Sequence, residues 1–134
     1  MSYLLDTNAC IAIINGRPPG VRRRLRATLT GGEPVAVSSI ALFELWYGVA
    51  KSARTAANSE RLAVFLAPLG TLPFDGDARA AGRVRAALER AGVPIGAYDT
   101  LLAGQAVRRG LVLVTANVAE FARVSGLRSE NWAD

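Results

Sequence analysis

The 134-residue chain contains no histidine and a single cysteine, Cys10. The missing histidine removes Ser-His-Asp and Cys-His nucleophilic schemes, imidazole general bases and every zinc site built on His ligands. One cysteine can form neither an intrachain disulfide nor a thiolate metal site. In its apolar run it reads as a small buried hydrophobe, and the reducing cytoplasm suits such a chain best. Long apolar runs are missing too: no stretch approaches the ~18 residues that a membrane span needs. The N-terminus lacks a basic n-region, and Asp6 and Asn8 interrupt its apolar run, so it makes a poor signal peptide. The expectation is a soluble, cytoplasmic protein. Any catalysis must run on carboxylates, amides, hydroxyls and arginines.

Basic charge, by contrast, is plentiful. Lys and Arg total 16 against 11 Asp and Glu, a net charge of +5, and Lys51 is the lone lysine. A GC-rich genome would enrich Arg and Ala codons and accounts for part of this bias. The clustering is more specific, because Arg22, Arg23, Arg24 and Arg26 crowd one short segment beside Arg17. Such a field attracts phosphate backbones, but basic runs are as common as plain solvated helix faces. Charge alone leaves both readings open.

With 51% hydrophobic residues, the composition is that of a globular chain of one domain, 1–134. Residues 2–5, 34–38 (PVAVS), 71–74 (TLPF) and 111–114 (LVLV) read as short buried strands, with a last strand-like piece near Leu127. Between them the pattern predicts helices. The first covers about 9–14, capped by Thr7 or Asn8, and a basic one runs from the Arg17–Gly20 turn to about Leu29. Others run from a Ser38 or Ser39 cap through about Ala53, over about 55–67, and from Asp75 and Asp77 to about Ala91. The last two run from the Pro94–Gly96 turn to Arg109, with Gly110 as the stop, and over about 118–123. Short strands alternating with helices mean α/β, with a mainly parallel sheet covered on both faces. Ligands of such folds gather beyond the carboxyl ends of the strands. Asp6 follows the first strand, and Thr115 to Asn117 follow the LVLV strand.

Four polar residues stand out against this background. Glu44 lies among Leu42, Phe43, Leu45, Trp46 and Tyr47, where an ionised carboxylate is costly unless an arginine or a metal compensates it. Asp99 falls in the first turn of a helix, where an acid by itself is most simply a dipole partner. Asp75 and Asp77 open another helix and read as caps. Taken together, Asp6, Glu44, Asp99 and Asn117 could bring oxygen ligands from four elements to one point at the sheet's edge. Hard oxygen ligands without His or Cys specify Mg²⁺ or Mn²⁺, and such an ion beside a basic surface suggests phosphodiester hydrolysis.

Four segments carry a resemblance: LLDTNACIAII, SSIALFELWYGVAKS, IGAYDTLLAGQA and LVTANVAEFARVSGL. In this order and over essentially the whole chain, they resemble the signature segments of PIN-domain ribonucleases, and more narrowly of VapC toxins. The resemblance implies a three-layer α/β/α sandwich and a Mg²⁺- or Mn²⁺-dependent endoribonuclease. It also implies a homodimer, a VapB-like antitoxin as partner and RNA as substrate. Asp6, Glu44 and Asp99 match the acidic triad. The fourth acidic position falls on Asn117, a departure that assigns it a supporting role, with Glu120 nearby. Thr7 and Thr115 match polar residues that orient the ligands. The tail EFARVSGLRSENW is most similar to toxins that cut tRNA in the anticodon stem-loop. On this reading Arg22, Arg23, Arg24 and Arg26 bind RNA phosphates.

Other classes fit less well. A receiver domain needs an acid pair after the first strand and a late lysine, whereas Asp6 is followed by Thr7 and the only lysine is Lys51. A haloacid-type phosphatase needs Asp-x-Asp there, and no Walker-type glycine loop occurs. A nucleic-acid-binding module without catalysis stays open, because the fourth acid is missing.

Overall fold

The computed structural model describes residues 1–133. Five strands form one sheet: β1 (Tyr3–Leu5), β2 (Val35–Ser38), β3 (Gly70–Leu72), β4 (Val112–Val114) and β5 (Arg128–Glu130). Their order is β3-β2-β1-β4-β5, and all four pairings are parallel. The helices are α1 (Thr7–Asn15), α2 (Pro19–Thr30), α3 (Ser39–Ala50), α4 (Thr55–Leu66), α5 (Ala78–Arg90), α6 (Ala97–Arg109) and α7 (Val118–Phe121).

Period-two alternation divides the core between the two faces. Tyr3, Leu5, Val35, Val37, Val112 and Val114 point to one side and pack with Ile13, Leu25, Leu45 and Leu62 of α1 to α4. Leu4 and Leu113 point to the other and pack with Leu88, Ala103, Ala106 and Phe121 of α5 to α7. The expected three-layer α/β/α sandwich is what these residues build. Strands β1 and β4 are buried at every position, as a parallel sheet covered on both faces requires. No helix among the described residues is long and apolar enough to cross a membrane.

Helices α5 and α6 pack unusually closely. A Cβ at Gly104 would stand 2.6 Å from the Ala81 backbone nitrogen, so only glycine admits this approach.

Three local expectations change. The N-cap of α1 is Asp6, not Thr7 or Asn8, and its side chain accepts from the Ala9 amide. Both threonine and asparagine therefore lie inside the first turn. Asp77 makes no cap bond to α5. Its fully buried carboxylate instead accepts from Arg108 (2.9 Å), Arg109 (3.1 Å) and Gln105 (3.1 Å), tying the start of α5 to the end of α6. Burial pushes the Asp77 carboxyl up, but hydrogen bonds and charge from Arg109 and Arg108 outweigh it and hold it below the usual range. Helix α3 stops at Ala50, short of Ala53, while its expected Ser38 cap is present.

Candidate functional site

The strand order reverses on either side of β1, and the crevice beyond the carboxyl ends of β1 and β4 is where such a sheet offers a ligand site. Asp6 stands there because β1 ends at Leu5 and the next residue must cap α1. Its Oδ1 accepts the Ala9 amide at 2.7 Å, and the residue is 5% exposed. Thr115, the first residue after β4, is buried beside it. The opening acid of the chain is thus a cap and a wall of the crevice at once.

Glu44 arrives from the second turn of α3, and its Oε1 accepts a 2.6 Å hydrogen bond from the Thr7 hydroxyl. Asp99 arrives from the first turn of α6, where it makes no cap bond. A polar pocket of about 230 Å³ is lined by Asp6, Thr7, Asn8, Glu44, Tyr98 and Asp99, with Gly96 and Ala97. Its acids come from the starts or middles of three separate helices. The pocket is smaller than the other four described, but its walls carry three carboxylates where each of the others carries at most one.

Electrostatics sets these acids apart. In an Arg-rich chain, none of Asp6, Glu44, Asp99 or Glu120 takes part in a salt bridge among the described residues. Burial pushes the Asp99 carboxyl up to about 6, and the charges of Glu120, Asp6 and Glu44 add to it. Burial also raises Asp6, and Glu44 adds to the rise, against the hydrogen bonds of Thr115 and Ala9. Clustered carboxylates without counter-charges are what a cation site looks like from the protein's side. Among the described residues, however, no three acids are gathered tightly enough to clasp an ion as they stand. The donor chemistry fits a hard divalent ion, around which the three carboxylates would have to draw closer.

The remaining expected residues sit at the margin. Asn117 donates from Nδ2 to Glu120 Oε2 at 2.6 Å, and its backbone amide donates to Thr115 Oγ1 at 2.9 Å. Neither Asn117 nor Glu120 lines the pocket, but the Glu120 charge reaches Asp99. The basic cluster on α2 is divided. Arg22 donates to the Ile13 and Ile14 carbonyls at the end of α1, and Arg24 pairs with Glu130 and lies over Trp132. Arg23 and Arg26 stay exposed. Asn8 and Tyr98 line the pocket although neither stood out as a site residue; their only signal was adjacency to Thr7 and Asp99. Tyr98 also meets Phe43 edge-on, with ring centroids 5.9 Å apart, at the pocket's rim.

The family model of the PIN domain matches residues 3–127. The chain is 40% identical to the tRNA(fMet)-specific endonuclease VapC of Shigella flexneri, covering 99% of each chain. Among solved structures, VapBC2 from Rickettsia felis bound to a promoter DNA fragment superimposes with a TM-score of 0.92 at 38% identity, covering 98% of this chain and 99% of the other. DNA-bound VapBC from Salmonella typhimurium gives a TM-score of 0.90 at 40% identity, covering 98% of both chains.

Proposed function

The chain belongs to the PIN-domain family and to its VapC branch, and from that premise we propose that it is an endoribonuclease that cuts RNA phosphodiesters as the toxin of a toxin–antitoxin pair. The observation that carries this reading is the meeting of Asp6, Glu44 and Asp99 around one pocket, with no salt bridge to any of them among the described residues. The substrate proposed is tRNA, cut in the anticodon stem-loop, by analogy with the tRNA(fMet) specificity in the name of the Shigella relative. A VapB-like antitoxin, a homodimeric toxin and a cytoplasmic location complete the proposal. The first rests on the VapBC complexes among the structural relatives.

Asp6, Glu44 and Asp99 would hold Mg²⁺ or Mn²⁺. A bound ion of this kind lowers the pKa of water and offsets charge on phosphoryl oxygens. The chain's own work is positioning. The Ala9 amide and Thr115 fix Asp6, and Thr7 fixes Glu44. Asn117 holds Glu120 where its charge acts on Asp99. Asp6 is buried and Glu44 and Asp99 are half-buried, and this partial removal from water strengthens their pull on a cation.

The test is incubation of the purified chain with tRNA, with Mg²⁺ or with EDTA, followed by end mapping. Cleavage that needs the ion and leaves 5′-phosphate and 3′-hydroxyl ends supports the reading. Undiminished cleavage in EDTA, or cyclic phosphate ends, overturns it. A second reading, RNA binding without hydrolysis, is favoured by Asn117 in place of a fourth acid and by the loose spacing of the carboxylates. Retention of tRNA with no cut under any metal would establish that reading instead.

A further inference from the structure

An acidic pocket repels a polyanion, so RNA must be held by positive charge elsewhere on the surface. The obvious candidate, α2, keeps Arg23 and Arg26 without internal partners among the described residues, but the groove beside it also carries Glu60. On the opposite face of the sheet lies a groove of about 520 Å³ between α5, the end of α6 and α7. Its walls carry Arg79, Arg83, Arg108 and Arg123, and its floor is apolar, including Val84 and Val124. No acidic residue among those described lines it.

Arg108 pairs with Asp77 and Arg123 donates to a backbone carbonyl, whereas Arg79 and Arg83 form neither a salt bridge nor a side-chain hydrogen bond among the described residues. Arg79 and Arg83 are one helical turn apart on α5 and both exposed. Four residues apart on a helix is about 6 Å, which matches the spacing of successive phosphates along a strand. Arg123 ties the groove to the segment that leads into the acidic pocket. It follows Glu120 by one turn, and it donates to the Pro94 carbonyl at 3.3 Å, just before the Gly96–Asp99 wall.

We propose that this arginine groove carries the sugar–phosphate backbone of the RNA on one side of the cleaved bond. The proposal rests on the ribonuclease reading above. The groove is a holding surface and not part of the chemistry, so it strengthens binding of a folded tRNA. It adds nothing for an oligonucleotide that spans only the cleaved bond.

The test uses the full chain and unfractionated tRNA as the probe. Binding is followed against salt in an Asp6→Asn background that keeps the RNA intact. The Arg79→Ala/Arg83→Ala pair should bind more weakly and flatten the log–log salt dependence by roughly 1.5 units, because two phosphates are no longer neutralised. The Arg79→Lys/Arg83→Lys pair should keep the slope. In the active protein the alanine pair should raise KM for tRNA, leaving kcat and the cutting of a short oligonucleotide unchanged. An unchanged salt slope, while the parent binds tRNA normally, overturns the groove but spares the ribonuclease reading. A parent that neither binds nor cuts RNA overturns both. Weakened capture of the antitoxin with unaltered tRNA binding assigns the groove to that protein and also overturns the proposal.

Discussion

Thr7 and Glu44, 37 residues apart in sequence, share a 2.6 Å hydrogen bond that joins α1 to α3 across the crevice. The hydroxyl donates to a carboxylate with no cationic partner among the described residues, so it is what orients Glu44 in the protein alone. Hydrogen bonds to charged groups contribute about 1.5–3 kcal/mol, and one of that size lost at the transition state corresponds to about tenfold or more in rate. Thr7→Val, which keeps the shape and removes the donor, should lower kcat for RNA cleavage by about tenfold. Thr7→Ser should retain most of it. Steady-state kinetics of the two variants decides, and a fully active valine variant would make the bond a bystander.

Asp6 combines two duties that substitution can separate. Asp6→Asn should abolish cleavage yet keep the cap, because an amide oxygen also accepts from the Ala9 N–H. It should also raise the melting point of the metal-free protein, since it removes one of the charges that push Asp99 up. Asp6→Ala should be less stable than Asp6→Asn by about 1 kcal/mol, the usual worth of a cap. Melting curves of the three proteins in EDTA test the ordering. Saturating Mg²⁺ should narrow the gap between wild type and Asp6→Asn by stabilising wild type more.

Acidity links to stability with a definite sign. The Asp99 pKa of about 6 in the fold exceeds its ordinary 3.8, so between these values the folded chain holds the extra proton. The Asp99 contribution to the stability of the metal-free protein is then greatest on the acid side of this window and falls as pH rises through it, and Asp6 contributes in the same direction. Asp77, held below its ordinary value, acts oppositely, but only at still lower pH. Relative to wild type, Asp99→Asn should therefore gain melting temperature as pH rises from about 4 to about 7. A constant difference across that range would show that Asp99 does not titrate there.

Asp77 is a structural acid and should behave as one. Replacing it with alanine strands Arg108 and Arg109 and the Gln105 amide, and should cost about 3 kcal/mol, discounted from deeper pairs because both guanidiniums reach water. Asp75, 73% exposed at the side chain and 3.7 Å from Arg109, should tolerate alanine within about 0.5 kcal/mol. Denaturant titration of both variants checks the contrast. Equal losses would mean that burial does not distinguish the two positions.

Much of this protein is written locally. The apolar runs at 34–38 and 111–114, the Ser38 cap and the Gly110 stop each act within a few residues, so elements and their order follow from the sequence. The candidate acids stood out for the same reason: Asp6, Glu44 and Asp99 each break a local apolar or helical pattern. Even the division of core residues between faces follows from the two-residue period of the strands.

What the sequence could not decide is which charges meet. Asp6 and Asp77 both precede a helix, yet only Asp6 caps one, because Asp77 finds three donors on α6 that lie 28 to 32 residues on. Arg22 and Arg83 are equal contributions to a net charge of +5, yet one closes the end of α1 and the other faces an open groove. Capping and periodicity are short-range and belong to the chain. Pairing between side chains on different helices depends on how those helices pack against the sheet, and the tertiary structure alone fixes that.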